Sequence, residues 1–292
     1  MEISEYCAQL KAGGCKAVGG SENTVWVSHE RFSMVRQPAF ALHVPHVEEI
    51  KNVFRRSHAA MLAFAVKASD VHAVNSSLYI CTDPEYSLKK LGRGARYDTS
   101  RGLNELEIKF VEQSQLLRLG RQAYCDTLAR TGLSVDSREP FEVSFARLCN
   151  YSRCLGALKG DRLAAFLLVT EVGEWVSIAG YSADEFLALR PNNALIFYAL
   201  RHYLVEQKFR VVSYGLSSIQ ANSKAEGLHK FKLKMGFESV PVHRVFTVNP
   251  LLRPFVNRAS WALVNGMLKM APDHPILKKA EGALRMALQS YD

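Results

Sequence analysis

The chain has 292 residues, of which 48% are hydrophobic and 22% are charged, and its formal net charge is +9. These proportions exclude an intrinsically disordered chain, because there are enough apolar side chains to build a buried core. The positive charge favours acidic partners such as nucleotide phosphates, tRNA, cell-wall precursors or an anionic membrane, with a solvated basic surface as an equally weighted alternative. The six cysteines form no C-x-x-C pair, which argues against a zinc site and favours reduced thiols.

The hydropathy pattern gives no indication of export or membrane insertion. The N-terminal residues MEISEYCAQLKAGG lack an apolar signal core, and no run approaches the roughly 18 uncharged apolar residues of a spanning helix. We therefore expect a cytoplasmic protein, with peripheral membrane contact through residues 251–290 as an additional hypothesis. The nine histidines show no ligand spacing, so no metal is expected, and neither is a DNA partner.

The first segment, residues 1–104, predicts a mixed α/β half. Apolar runs with strand character lie at 25–27, 39–44, 60–66 and 77–82, and a helix is predicted at 46–57, after Pro45. The half ends in a basic segment, SLKKLGRGARYDTSRGL at 87–103, which carries five cations and one acid, Asp98.

The second segment, residues 105–249, has a more regular pattern. It predicts a strand at 105–111, helices at 113–130 and 141–149, and three antiparallel strands at 153–158, 162–172 and 175–181. A helix at 193–208, a strand at 210–214, a helix at 228–235 and a last strand at 239–248 follow. Because crossovers surround the strand at 210–214, we expect a parallel strand pair there.

Residues 250–292 predict a C-terminal tail of two amphipathic helices separated by Pro272 and Pro275. A helical hairpin packed on the core is the favoured interpretation, and a membrane-surface or partner-binding role is the alternative. The expected architecture is therefore an α/β fold with a mixed sheet, divided into 1–104, 105–249 and the tail at 250–292.

Two motifs add a family resemblance. FKLKMGFE at 231–238 resembles the Phe-Lys-x-x-Phe-Gly segment near the end of FemAB-like acyltransferases, and LKKLGRGARYDTSRGL at 88–103 resembles the basic segment between the halves of such proteins. The order of elements over residues 25–248 resembles that of the GNAT superfamily. Within this superfamily, the two motifs resemble the FemAB-like acyltransferases, whose domain also occurs in bacterial proteins labelled BioF2-like acetyltransferases. The resemblance implies a GNAT-like fold with a degenerate N-terminal GNAT-like half. It also implies transfer of an acyl or aminoacyl group to an amine.

The resemblance places the acyl donor at the helix that follows Arg190. A donor on CoA or tRNA carries phosphates, which helix N-termini bind through free N–H groups and the helix dipole. Arg190, Asn192 and Asn193 are the donor-binding candidates, with ordinary helix capping as the alternative. CoA-dependent members usually have small residues where this chain has Asn193 and Leu195. Both acyl-CoA and aminoacyl-tRNA therefore stay open as donors.

Lys232 corresponds by resemblance to the lysine beside the reacting centre, where a cation stabilises an oxyanion or a donor phosphate. Phe231 would shape the pocket beside it. The spacing of Lys230, Lys232 and Lys234 cannot place all three on one helix face, so our hypothesis assigns Lys230 and Lys234 mainly to solubility. His229 is a spare candidate for proton transfer.

The other candidates are two tyrosines and three arginines. Tyr181 and Tyr214 end predicted strands and could protonate the leaving group, although buried tyrosines are most often core residues. Arg93, Arg96 and Arg101 would hold an anionic acceptor or donor tail, with a solvated basic linker as the alternative.

The sequence therefore predicts an N-acyltransferase that moves an acyl group directly from acyl-CoA to an amine acceptor. One alternative is an aminoacyl-tRNA-dependent FemAB-type transferase acting on a cell-wall precursor, which the +9 charge and the missing glycines favour. The other is a non-catalytic binding protein that retains the fold.

Overall fold

The computed structural model describes residues 1–13, 16–22, 24–29, 32–68, 74–131, 140–217, 223–271 and 274–289. The chain divides into two compact units. The larger unit comprises Met1–Glu2, Leu78–Ser217 and Ala221–Val240, and the smaller unit comprises Ile3–Ser77, Ser218–Gln220 and Pro241–Asp292. The division into 1–104, 105–249 and 250–292 follows chain order instead, and it stays a prediction.

The elements alternate between helices and strands along the whole chain. The helices are α1 Ile3–Ala12, α2 Val47–Ser57, α3 Arg93–Glu105, α4 Gln113–Leu119, α5 Arg121–Thr131, α6 Phe141–Leu148, α7 Pro191–Leu200, α8 Ser223–Lys234, α9 Arg258–Met270 and α10 Pro275–Gln289. The strands are β1 Ala17–Gly19, β2 Val25–His29, β3 Ser33–Gln37, β4 Met61–Lys67, β5 Ser76–Cys81, β6 Glu107–Val111, β7 Arg153–Lys159, β8 Arg162–Val172, β9 Trp175–Ser182, β10 Val211–Leu216 and β11 Glu238–Val248. Short 3-10 turns occur at Leu88–Lys90, Asp184–Leu189 and Pro250–Phe255.

In the larger unit, the strands are ordered β5-β10-β9-β8-β7-β6. Strands β6 to β9 are antiparallel neighbours, as the sequence predicted for β7, β8 and β9. Every residue from Leu163 to Val169 on β8 is buried, so both faces of this strand are covered. Helices α5 and α7 contact β8 and β9 and supply part of this cover.

Strands β9 and β10 form the predicted parallel pair. Their register covers three residue pairs and ends at Ser177↔Ser213. Beyond this point β10 shifts register against β5, and Gly215 there has a φ of 71°, which glycine adopts without strain. Because the strands are parallel, their carboxyl ends, which carry Tyr181 and Tyr214, lie at the same edge of the sheet.

In the smaller unit, the strands are ordered β1-β2-β3-β4-β11, with β3 and β4 parallel and the other neighbours antiparallel. Helix α2 lies between β3 and β4 in the chain and provides the crossover that a parallel pair requires. A buried ion pair joins α2 to the sheet: Arg36 on β3 is 2% exposed, and its Nε lies 3.9 Å from Glu49 Oε1. Trp26 Nε1 donates to the same carboxylate oxygen at 2.7 Å.

The predicted strand at 39–44 is wrong. The Ala41 N–H donates to the Pro38 carbonyl oxygen at 3.0 Å, and the segment turns there. The strand in this region is β3, which ends just before the turn. It was not predicted from the sequence, and neither were α1 and β1. The two buried residues of β3 are Met34 and Arg36, and a buried arginine hides the apolar alternation by which a half-buried strand is recognised.

Three predicted helices have different bounds in the structure. The helix at 113–130 is divided into α4 and α5 at Gly120, where a side chain would meet the Leu116 carbonyl oxygen at 2.8 Å. The helix at 193–208 begins earlier, as α7, and continues as a wider π-type turn at Arg201–Glu206. The helix at 228–235 also begins earlier, as α8.

Helices α9 and α10 confirm the two predicted tail helices. They pack against each other, and Trp261 Nε1 donates to Glu281 Oε1 at 3.0 Å. Ala287 on α10 is 1% exposed and joins a core cluster with Phe246, so α10 packs on the smaller unit's own sheet. Pro272 lies outside the described residues. Within the described ranges, every helix is too short or too polar to cross a bilayer.

Candidate functional site

A cavity of about 760 Å³ in the larger unit is lined by the start of α3 and the turn before it, by the start of α7, and by α8 from Gly227 onward. We call it the basic cavity, because cations dominate its charged lining. Among the described residues, those cations are Lys90, Arg93, Arg190, Lys230 and Lys234. Phe231 on α8 also lines the cavity, and its ring packs against the core as well. The structure therefore places Lys230 and Lys234 at a cavity wall, rather than only on open surface.

The charges around the basic cavity do not balance. Lys90 lies 2.7 Å from Asp83, Arg190 lies 3.0 Å from Asp98, and Lys230 lies 2.6 Å from Glu226. The remaining two cations, Arg93 and Lys234, have no acidic partner among the residues that the structure describes. The cavity therefore carries an excess of positive charge and favours an anion.

The start of α3 presents backbone to the basic cavity. Gly92, Arg93, Gly94 and Ala95 all line it. The first intrahelical bond runs from the Arg96 N–H to the Gly92 carbonyl oxygen at 2.9 Å, so the N–H groups before it belong to the unsatisfied first turn. Within the described part of the chain, no side chain caps this helix, and a Cβ at Gly92 or Gly94 would meet open space. A phosphate can therefore approach these N–H groups closely.

The start of α7 lies at the same cavity through Arg190 and Asn193. Arg190 has a φ of 60°, in the left-handed region, which costs a non-glycine residue about 1 kcal/mol. Its Nε reaches Asp98 on α3. Helices α3 and α7 pack closely at Gly102, where a Cβ would lie 2.7 Å from the Arg190 carbonyl oxygen and 2.9 Å from the Ala194 Cβ. This glycine allows the two helix starts to share one cavity.

Asn192, the third donor candidate, does not line the basic cavity. Its Nδ2 donates to Ser182 Oγ at 3.0 Å, and Arg130 donates to the same Oγ at 2.8 Å. Asn192 therefore ties the start of α7 to the end of β9.

The arginines of the basic segment separate into three positions. Arg93 lines the basic cavity. The Arg96 guanidinium donates to the carbonyl oxygens of Leu88, Lys89 and Leu91 at 3.0–3.1 Å, and so it fixes the turn before α3. Arg101 is exposed and lies away from the cavity lining.

Lys232 lies on a different face of α8 and is only 3% exposed. Its Nζ donates to the Tyr214 carbonyl oxygen at 3.2 Å and lies 4.0 Å from the Tyr79 ring centroid and 4.5 Å from that of Tyr214. Within the described residues, no carboxylate lies within ion-pair distance of it. Burial lowers the pKa of the Lys232 ammonium to about 8, while the two aromatic rings favour its charged form. The site therefore holds a desolvated cation.

Tyr79 is a member of this site that the sequence analysis missed. Its hydroxyl lies 2.7 Å from His229 Nδ1, so His229, Tyr79 and Lys232 form a continuous group of contacts. Tyr79 comes from β5, and the antiparallel pairing of β5 with β10 places it next to Tyr214. The sequence gives little sign of a functional role for Tyr79, since a single tyrosine in an apolar strand cannot be distinguished from an ordinary core residue.

The two candidate tyrosines have different surroundings. The Tyr181 ring stacks on Phe166 at 4.9 Å and also contacts Tyr124, which places it in the aromatic core. The Tyr214 hydroxyl has no hydrogen-bond partner among the described residues, and a Cβ at Gly180 would lie 3.0 Å from it. Burial raises the pKa of each hydroxyl to about 12, so both are protonated at neutral pH. Tyr214 is the better placed proton donor of the two, because its ring lies 4.5 Å from Lys232 Nζ.

The described residues contain no group of three or more His, Cys, Asp or Glu side chains that could hold a metal ion.

Comparison with solved structures identifies the fold. The C-terminal domain of an Agrobacterium fabrum protein whose name assigns it to the lysylphosphatidylglycerol synthetases is similar with a TM-score of 0.55 and 16% identity, over 91% of this chain and 96% of that one. FemX is similar with a TM-score of 0.56 and 11% identity, over 86% and 92% of the two chains. This chain shares their fold.

A third similar structure, L-PGS from Bacillus licheniformis, has a TM-score of 0.53 and 12% identity, over 82% of this chain and 86% of that one. No protein-family model and no curated protein matches the sequence. The predicted mixed α/β sheet of the GNAT-like, FemAB type is thereby confirmed as a fold, and the chemistry must be argued from the site.

Proposed function

We propose that this protein is an acyl- or aminoacyltransferase that moves its group from a phosphate-bearing donor to an amine. The observation that carries the proposal is the basic cavity, in which Arg93 and Lys234 have no acidic partner, and the start of α3 has no side-chain cap, among the residues that the structure describes. Such a cavity suits the phosphates of a donor. The shared fold with FemX and the synthetase domain supports the same class of reaction, although fold alone does not assign chemistry.

The proposed reaction is a direct transfer. The amine nitrogen attacks the donor carbonyl carbon, a C–N bond forms, and the carbonyl oxygen becomes an oxyanion. The nitrogen, which carries a positive charge after the attack, loses a proton as the oxyanion collapses to the amide. The C–S or C–O bond to the donor breaks in the same step, and the leaving group takes up a proton. Lys232 would stabilise the oxyanion from its desolvated position, where an ionic interaction is stronger than in water. Tyr214, whose hydroxyl stays protonated, would supply the proton.

Acyl-CoA is our first choice of donor. Gly92 and Gly94 at the start of α3 provide the close backbone approach that a pyrophosphate needs and that Asn193 and Leu195 on α7 do not. Aminoacyl-tRNA is the second candidate, because the net charge of +9 favours a polyanion. A cytoplasmic location accompanies either choice, since both donors are made there.

A thermal-shift screen with acetyl-CoA, longer acyl-CoAs, aminoacyl-tRNA and uncharged tRNA tests the proposal. A ligand that binds the native state raises the melting temperature by mass action. Stabilisation by acyl-CoA supports the first donor, and a salt-sensitive shift with tRNA alone supports the second. No response to any donor would refute the transferase proposal and favour a non-catalytic binding protein.

A further inference from the structure

Helix α9 in the smaller unit exposes its apolar face. Leu263, Met267 and Met270 are 64%, 42% and 82% exposed. Exposed small residues continue the same stripe along the helix. Residues at the spacing i, i+3, i+4, i+7, i+8 and i+11 lie on one side of a helix. The full stripe is Ala259, Ala262, Leu263, Gly266, Met267 and Met270. Surface helices normally turn such a stripe toward the core, so this orientation needs another explanation.

The orientation of α9 is fixed by its other side. Asn257 caps the helix by accepting the Ser260 N–H at 2.9 Å, and Trp261 Nε1 donates to Glu281 on α10. The helix is therefore well formed, and its contact with α10 uses the face away from the stripe.

The turn before α9 extends the same apolar surface. Leu251, Leu252 and Phe255 in the turn Pro250–Phe255 are 83%, 40% and 69% exposed. Leu251 and Leu252 also line a cavity of about 660 Å³ in the smaller unit, together with Phe32 and Phe54. We call the turn and the stripe together the apolar face. Consecutive apolar side chains exposed in this way are typical of an interaction surface.

The charge of this region identifies the partner. Residues 250–270, which form the turn and α9, contain three Lys or Arg residues and no acid. These cations, Arg253, Arg258 and Lys269, are exposed within or beside the apolar face. Apolar side chains bordered by cations match the interface of a bilayer. The acyl region of the bilayer takes up the apolar side chains, and anionic headgroups attract the cations. A second copy of this chain would bring the same cations together and repel.

We propose that the apolar face docks on the surface of a bilayer that contains anionic phospholipid. Leu251, Phe255, Leu263, Met267 and Met270 enter the headgroup–acyl boundary, and Arg253, Arg258 and Lys269 contact the headgroups. The helix lies in the plane of the interface. This surface belongs to the smaller unit and is independent of the proposed transferase site.

Vesicle co-sedimentation of the full chain tests the proposal, with phosphatidylcholine vesicles compared with phosphatidylcholine–phosphatidylglycerol vesicles. The wild-type chain is expected to sediment with the anionic vesicles and at least about tenfold less with the neutral ones, because each basic residue near an anionic surface contributes to binding. The double substitution Leu263→Gln and Met267→Gln is expected to weaken vesicle binding about tenfold or more, because it removes inserted apolar groups. Both side chains are exposed, so folding should be retained.

The matched control for the apolar change is Val143→Gln, which replaces another half-exposed apolar residue in the larger unit. A charge reversal, Arg258→Glu with Lys269→Glu, should abolish the preference for anionic vesicles, whereas Arg118→Glu with Arg121→Glu should leave it intact. Equal binding to both vesicles, no binding, or no effect of the Leu263 and Met267 changes would overturn the proposal. So would a dimer in size-exclusion chromatography that these two changes convert to a monomer, since the face would then bind a second copy.

Discussion

Replacing Lys232 with methionine is expected to stabilise the protein while strongly reducing its turnover in acyl transfer. Burial lowers the pKa of the ammonium from 10.5 to about 8, and each pKa unit corresponds to about 1.4 kcal/mol. Below pH 8 the buried charge therefore costs the native state on the order of 3 kcal/mol. Methionine removes this cost but leaves the Tyr214 carbonyl oxygen without its donor, which costs about 1 kcal/mol. We expect a net gain of about 2 kcal/mol in the free energy of unfolding at neutral pH.

This gain should shrink as the pH rises. Between the native pKa of about 8 and the ordinary value of 10.5, the unfolded state binds more protons at Lys232 than the native state does. The wild-type protein therefore becomes more stable with rising pH relative to the methionine variant. From neutral pH to about pH 9.5, the stability difference between the two proteins should fall by about 2 kcal/mol.

Urea unfolding at the two pH values measures this effect, with Lys230→Met as the matched control. Lys230 lies on the same helix but its side chain is 64% exposed, so its replacement should change stability by no more than about 0.5 kcal/mol. In a transfer assay, Lys232→Met should lose about 100-fold or more in turnover. The desolvation argument is refuted if Lys232→Met destabilises the protein at neutral pH, or if the stability difference is independent of pH. Full turnover by the variant would refute the catalytic role.

Three further substitutions test other parts of the account. Gly94→Ala should stabilise α3 by about 0.5 kcal/mol. It should also weaken donor binding in calorimetry, because the added methyl group would occupy open space at the cavity that the donor needs. An unchanged affinity would count against an anion site at the start of α3. Gly102→Ala should cost about 1–3 kcal/mol in urea unfolding, since its Cβ would lie 2.7 Å from the Arg190 carbonyl oxygen; no loss of stability would disprove that close contact. Glu49→Gln should cost about 3 kcal/mol or more, because the buried Arg36 would lose its paired carboxylate and keep only the charge of the exposed Glu22. A cost below about 1 kcal/mol would show that Arg36 finds another partner.

The sequence predicted the parts of the fold that local pattern determines. Strands β7, β8 and β9 have apolar runs separated by glycine turns, and the parallel β9–β10 pair follows from the intervening helix. Strand β3 escaped detection because its alternation depends on Arg36, whose burial is compensated by Glu49 on a different element. Compensation across elements cannot be recognised in a local window.

The candidate site was predictable only where a local motif marks it. Family resemblance selected Lys232, and the structure adds that it is buried between two aromatic rings. Tyr79 could not be found, because its place beside Lys232 depends on pairing between β5 and β10, far apart in the chain. Donor-binding glycines were expected at the start of α7. Gly92 and Gly94 were not predicted, because only the packing of α3 against α7 brings both helix starts to one cavity.

The central claim is that a phosphate-bearing donor binds in the basic cavity. Calorimetry with the donor selected by the thermal-shift screen tests it most directly, on the wild type, the double variant Arg93→Ala with Lys234→Ala, and Arg101→Ala. Arg101 lies on α3 like Arg93 but outside the cavity lining. The account predicts about tenfold or greater weakening for the double variant, from two charge-assisted contacts, and unchanged affinity for Arg101→Ala. Equal affinity in all three proteins would contradict it.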